Sequence, residues 1–303
     1  MGFLFDALSS IFGYVLWFFF DAVSNYAVAI TIFVVVFNIL MFPLAIKRQK
    51  SMAKNAKIGI KQQEIRKKYE KNPKKYNEEI AKLYEKEGFN PMSGCLVTML
   101  LPLFLWPSVY GAVTKPLQNV LHIPNEKVVA AVQVLPELES QSNRGYEQLK
   151  LVQHFSDVKD KLTMLNEKEY SQLEEYSNGF NFLGLDLLKS PNKSEFSAML
   201  WLVPLFCFLS SALTAFISQK TMQNPAQNQG CMKYMPYMVM FIPAYWSYTI
   251  PAAVGIYWIA NSLFAAFQAV ILNKFYNTYT INAQEEAARA ALLFEEESKV
   301  EKM

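Results

Sequence analysis

A chain of 303 residues, 52% apolar with abundant Phe and Tyr and scarce Gly, has the composition of an integral membrane protein. Its small net charge of +3 gives no ground for nucleic acid as a direct partner. Cys95, Cys207 and Cys231 lie in or beside apolar stretches, far from His122 and His154, which excludes a disulfide framework and a metal site on spacing.

Met1–Phe20 is apolar but lacks the basic start and small-residue cleavage site of a secretory signal. Phe3, Leu4, Ala7, Leu8, Ile11, Val15 and Phe18–Phe20 form a broad apolar face, with Asp6, Ser9 and Ser10 elsewhere. Residues 1–24 therefore read as an interfacial amphipathic helix on the outer leaflet, with a further spanning segment as the alternative. Five apolar spans follow, at 25–46, 92–113, 198–218, 233–249 and 251–272. Each but the fourth holds about twenty mostly apolar residues, enough to cross a hydrocarbon core of roughly 30 Å. The fourth is short and is expected to tilt or to thin the bilayer locally.

Between the first two spans, residues 47–91 form a basic helical hairpin. Residues 47–90 carry fourteen Lys/Arg against six Asp/Glu, a net of +8. Such a charge beside a span resists translocation, so this segment is expected in the cytoplasm, with the amino terminus outside and the carboxyl terminus inside. Ile58, Ile65 and Tyr69 repeat at helical spacing on one arm, and Tyr76, Ile80, Leu83 and Tyr84 on the other. Asn72-Pro73 breaks the pattern between them, and Glu78 is spaced to pair with Lys82. Lys67, Lys68, Lys71, Lys74 and Lys75 cluster at the hairpin tip, farthest from the bilayer. The hairpin is either a solvated helix pair that sets topology or a docking arm for anionic lipid or ribosomal RNA phosphates.

The extracytoplasmic segment 114–197 carries nine basic and twelve acidic residues, is helix-biased, and is long enough for a small cap. Val128, Val132 and Leu135 lie at helical spacing, as do Leu149, Val152 and Phe155 with a slight offset. Glu167, Glu169, Glu174 and Glu175 read as a solvated face, not an acid/base pair. The cytoplasmic tail 273–303 is mixed in charge, with four basic and six acidic residues.

Polar residues recur on three of the spans. Thr31 and Asn38 share one face of the first. Ser211, Thr214 and Ser218 share one face of the third, and Tyr257, Asn261 and Gln268 follow a face of the fifth. Facing lipid, these groups would lack partners, so they are expected to point inward. They serve either as hydrogen-bonding glue or as the lining of a hydrated cavity, and three bulky amides near one axis favour water. Met99 and Leu103 in the second span, with Met235, Met238 and Phe241 in the fourth, make a flexible apolar surface. It is ordinary lipid-facing surface or a sliding surface for a client helix.

The order of these features resembles the YidC/Oxa/Alb family of membrane protein insertases. The residues that carry it are Met41-Phe-Pro-Leu44, Ser51-Met-Ala-Lys54 and Asn90-Pro-Met-Ser-Gly-Cys95. Phe182-Leu-Gly-Leu-Asp-Leu187, Met235-Pro236, Ile250-Pro-Ala252 and Ile256-Tyr-Trp-Ile-Ala-Asn261 continue it. Each motif is weak alone; their order and spacing are specific. The resemblance implies an all-α membrane protein of the bacterial plasma membrane, with five transmembrane helices and a hydrophilic groove open to cytoplasm and lipid. It implies no covalent chemistry and no cofactor. Nascent membrane proteins are the implied clients, with the ribosome, the Sec translocon and anionic lipids as candidate partners. A channel or transporter subunit is the second reading, disfavoured by the lack of intramembrane charge and of an internal repeat. One departure stands out. Where the family has an arginine, five residues before the proline of the first span, this chain has Asn38.

Overall fold

The computed structural model describes residues 2–70, 72–88, 107–135, 146–192, 197–221, 238 and 240–300. The fold is mostly helical. Two compact units divide the chain, one of residues 1–39, 100–213 and 239–264, the other of residues 40–99, 214–238 and 265–303. Among the described residues three helices are long and apolar enough to cross a membrane: one within α1 (Gly2–Val23), one within α10 (Ala198–Thr221), and one that begins with α12 (Ala252–Phe275) and runs on to Phe294. A fourth is added if α2 (Tyr26–Leu40) and α3 (Phe42–Lys68), which meet at a bend, make one span. The second span expected from sequence falls largely outside the described residues. Of the fourth, the nine-residue α11 (Phe241–Thr249) is described.

The sequence pattern ran the first span through residue 46, but the helix breaks at Met41. Pro43 explains the position: it lies in the first turn of α3, where its missing N–H costs nothing, and would have interrupted a continuous helix. Ala45 N instead bonds to Met41 O at 3.0 Å.

In the first unit α1 turns through Ser24, whose φ is +48°, into α2. It then folds back along α2, so that Phe12 meets Phe33 and Phe37 edge-on at 6.0 and 5.2 Å. On its other side α1 packs against the segment that follows residue 114. Gly13 lies against the backbone of Asn119, the end of α5 (Pro116–Asn119), and Phe20 against Gly179. Leu16 and Phe20 are buried there with Leu117, Val120, Leu149, Leu173 and Tyr176.

That segment folds into a small helical cap. It includes α6 (Asn125–Val132), α7 (Glu147–Gln153), α8 (Phe155–Val158) and α9 (Glu167–Asn178). Of the residues at helical spacing, Val128, Leu135, Leu149, Val152 and Phe155 lie in its core, and Val132 is partly buried against it. Glu169 corrects the expectation of a solvated acidic face. It is the N3 residue of a capping box with Asn166, and its carboxylate accepts from Lys127 Nζ at 2.7 Å. Only 13% of its side chain is exposed. Burial pushes this carboxyl up, but the Lys127 and Asn166 hydrogen bonds and the Lys127 charge outweigh it and hold the carboxyl below its usual range. The pair's stabilisation is therefore present above the ordinary glutamate pKa and is lost as pH falls through the lowered one.

The second unit contains the hairpin and the tail. α3 ends at Lys68, and Asn72 caps α4 (Pro73–Lys86) by accepting from Lys75 N at 3.2 Å, so the break falls at Asn72-Pro73. The arms are tied by Gln62 donating to the Tyr84 hydroxyl and by a Lys61–Glu87 ion pair. Lys82 pairs with Glu79 at 2.9 Å, not with Glu78, because the i,i+3 carboxylate lies nearer along this face. The tail helix α13 (Thr278–Val300) lies on α3. Lys57 pairs with Glu286 at 2.7 Å, Ile281 is buried, and Lys50 sits over the Tyr276 ring.

Candidate functional site

Polar groups in the apolar helices face two demands. Their backbone is already satisfied, so each side chain must find its own partner or water. Thr31 answers locally: its hydroxyl donates to Ala27 O, one turn back on α2, at 2.7 Å. It joins no wider network, because a threonine on a helix can always use the carbonyl at i−4.

Asn38 reaches farther. Its Nδ2 donates to Val34 O at 2.8 Å and lies 3.4 Å from Asn261 Oδ1 on α12. Both amides are half-buried. Among the described residues neither Asn38 Oδ1 nor Asn261 Nδ2 has a protein hydrogen bond, which leaves each open to water. One turn of helix places Tyr257 on the same side of α12, where it is buried. The hydroxyls of Ser211 on α10 and Ser262 on α12 are 3.5 Å apart. Ser262 escaped the sequence pattern, since it lies one residue off the Tyr257–Asn261 face. Its position beside Asn261 was the available signal.

The first unit thus brings Asn38 to Asn261 and Ser211 to the Asn261 neighbour, with Thr31 apart. Thr214, Ser218 and Gln268 belong to the second unit and are half-buried. Among the described residues named here, this arrangement offers amide and hydroxyl donors and acceptors and no charged side chain. Such a set of amides and hydroxyls can hydrogen-bond water or a polar group.

α10 and α12 approach closely at Gly255. A β-carbon there would lie 2.4 Å from Val203 Cγ1, and the buried Cys207 thiol donates to Gly255 O at 3.4 Å. Small residues allow this kind of helix crossing in lipid.

Of the apolar surface, Met238 and Phe241 are exposed, and Phe241 packs on Phe208 at 5.2 Å. Met99, Leu103 and Met235 lie outside the described residues. Lys67, Lys68, Lys74 and Lys75 are exposed at the two ends that meet at the hairpin tip, and Lys71 lies outside the described residues. Sequence reasoning missed Lys57 and Glu286, whose 229-residue separation hides the pairing.

Comparison with known proteins adds a separate line. The model of a family described as 60Kd inner membrane protein matches residues 18–279. A "Membrane protein insertase YidC" of Caldanaerobacter subterraneus is 46% identical over 86 residues, covering 28% of this chain and 41% of that protein. Its namesake in Rickettsia felis is 27% identical over 265 residues, covering 86% of this chain and 38% of that protein. The chain therefore spans about two fifths of the length of these relatives.

Proposed function

Because the chain belongs to the 60Kd inner membrane protein family, we propose that it is an insertase, helping nascent membrane proteins enter and fold in the bilayer. It is a bacterial inner membrane protein by family and by its apolar helices. The observation that carries the mechanism is the meeting of Asn38 and Asn261 between otherwise apolar helices. A hydrated pair of amides lowers the desolvation cost for a short polar segment of a client. The client's apolar helix then leaves along surface such as Met238 and Phe241, and its burial in lipid drives the step. No bond is made or broken. The relatives' names favour this over a channel or transporter subunit. Expression in cells depleted of their own insertase should restore growth and the membrane insertion of a short single-span client. Growth restored to no degree, with the protein present in the membrane, would refute the reading.

The orientation follows from charge, with the +8 hairpin in the cytoplasm and the 114–197 cap outside. The hairpin's exposed tip lysines then face the translating ribosome or anionic headgroups, and the Sec translocon is a further candidate neighbour. Ribosome binding to inverted membrane vesicles should fall when Lys67, Lys68, Lys71, Lys74 and Lys75 are changed to Gln, and its salt dependence should become shallower. Truncation after Thr280 should leave binding intact or raise it, because it removes Glu286 from Lys57. Normal ribosome binding by the five-Gln variant, with lost affinity for anionic vesicles, would assign the tip to lipid alone. Binding by right-side-out vesicles instead would reverse the orientation.

A further inference from the structure

The cap ends in a two-stranded hairpin of unusual chemistry. β1 (Asn181–Phe182) pairs antiparallel with β2 (Leu185–Asp186), leaving Leu183-Gly184 as a two-residue turn. Both turn residues have positive φ, +53° for Leu183 and +80° for Gly184. A turn of this type favours Asn or Gly at its first position, and a bulky apolar residue resists the left-handed region. Leu183 nevertheless occupies it and is 77% exposed, more than any other large apolar side chain among the described residues. Backbone strain of this kind directs attention to function.

The depth of the tip is set by hydrogen bonds to the outer ends of two apolar helices. At the start of α2, Asn25 Nδ2 donates to Asn181 O at 2.9 Å and Tyr26 N to Gly179 O at 2.9 Å. At the start of α12, Ala253 N donates to Leu187 O at 2.8 Å and Ala252 N to Lys189 O at 2.9 Å. Asn192 N bonds to Tyr248 O at 3.2 Å, and the Tyr248 ring packs on Trp201 at 5.1 Å. Tyr and Trp at helix ends mark the boundary between hydrocarbon and headgroups. The hairpin is thus level with that boundary.

We infer that the Leu183 tip inserts into the outer leaflet at the headgroup boundary and anchors the cap to the lipid surface. The partner is the bilayer itself. Phe182, half-buried beside the tip, adds apolar area on the same strand end. The inference rests on α2 and α12 lying in the membrane, and stands whether or not the protein inserts clients.

The test uses full-length protein, with its three native cysteines replaced, in client-free phosphatidylcholine/phosphatidylglycerol vesicles. An environment-sensitive fluorophore on Leu183→Cys should emit in the blue and be quenched several-fold more by shallow nitroxide lipid than by aqueous iodide. The same probe on Ser171→Cys, exposed on α9, should show the reverse. Iodide quenching of the Leu183 probe equal to that at Ser171 would overturn the inference. So would protection that appears only when a client is added. Leu183→Asn, which suits the turn better, should melt in detergent no lower than the wild type. A lower melting point would make Leu183 a folding residue and overturn its role as an anchor.

Discussion

Replacing Asn38 by Leu is expected to slow client insertion on the order of tenfold, the largest functional effect anticipated for one substitution. Asn38 Nδ2 holds Val34 O and approaches Asn261 Oδ1. Leucine removes both donors and leaves the Asn261 amide facing an apolar branch. An unsatisfied polar group costs about 1–3 kcal/mol, and roughly 1.4 kcal/mol corresponds to tenfold in rate. Asn38→Arg should be tolerated, because the resembling family has arginine at this place and a hydrated site can solvate it. Asn38→Leu combined with Asn261→Leu should cost less than the two single changes added together, since the pair acts as a unit. Insertion of an acidic-tailed client into proteoliposomes measures all of these. If Asn38→Leu inserts that client at the wild-type rate, the amide pair is structural glue.

A second large effect is expected on stability, at Gly13. An added β-carbon there would sit 1.8 Å from Asn119 O and 2.5 Å from Asn119 C. The obstacle is backbone, and it is fixed: the Asn119 side chain donates to Gly111 O at 2.8 Å, and the residue is 1% exposed. Either α1 or the cap must move, at a cost of about 3 kcal/mol. Gly13→Ala should therefore lower the melting temperature by several degrees and expose the cap to protease. Gly255→Ala should cost less, because there the nearest atom, 2.4 Å away, belongs to the Val203 side chain and not to backbone. Equal melting of Gly13→Ala and wild type would show that α1 is loosely held.

Apolar periodicity made two of the long helices legible almost to their ends, because α10 and α12 are continuous and mostly apolar. Asn72-Pro73 announced the hairpin turn for a local reason, since proline acts on its immediate neighbours. The break at Met41 was harder to read: the apolar run continues through it, and only Pro43 hints at the bend. Glu169 shows the other limit. Its sequence neighbours are acidic and polar, as on a solvated face, and its burial depends on Lys127, 42 residues away. Gly13 gave no signal, because a glycine's role in close approach belongs to the surface opposite. For Asn38 and Asn261 the shared helix faces were readable, but the 3.4 Å contact between them required the packing of α2 and α12.

The cover that α13 lays on α3 also has a schedule. Lys57 and Glu286 are 229 residues apart, so one leaves the ribosome long before the other. At roughly 5–20 residues per second, the interval is on the order of ten to fifty seconds. Throughout it a newly made copy holds Lys57 without its Glu286 partner. Lys57 is neutralised only after α13 has been made, so masking of that part of the arm waits on a segment far along the chain.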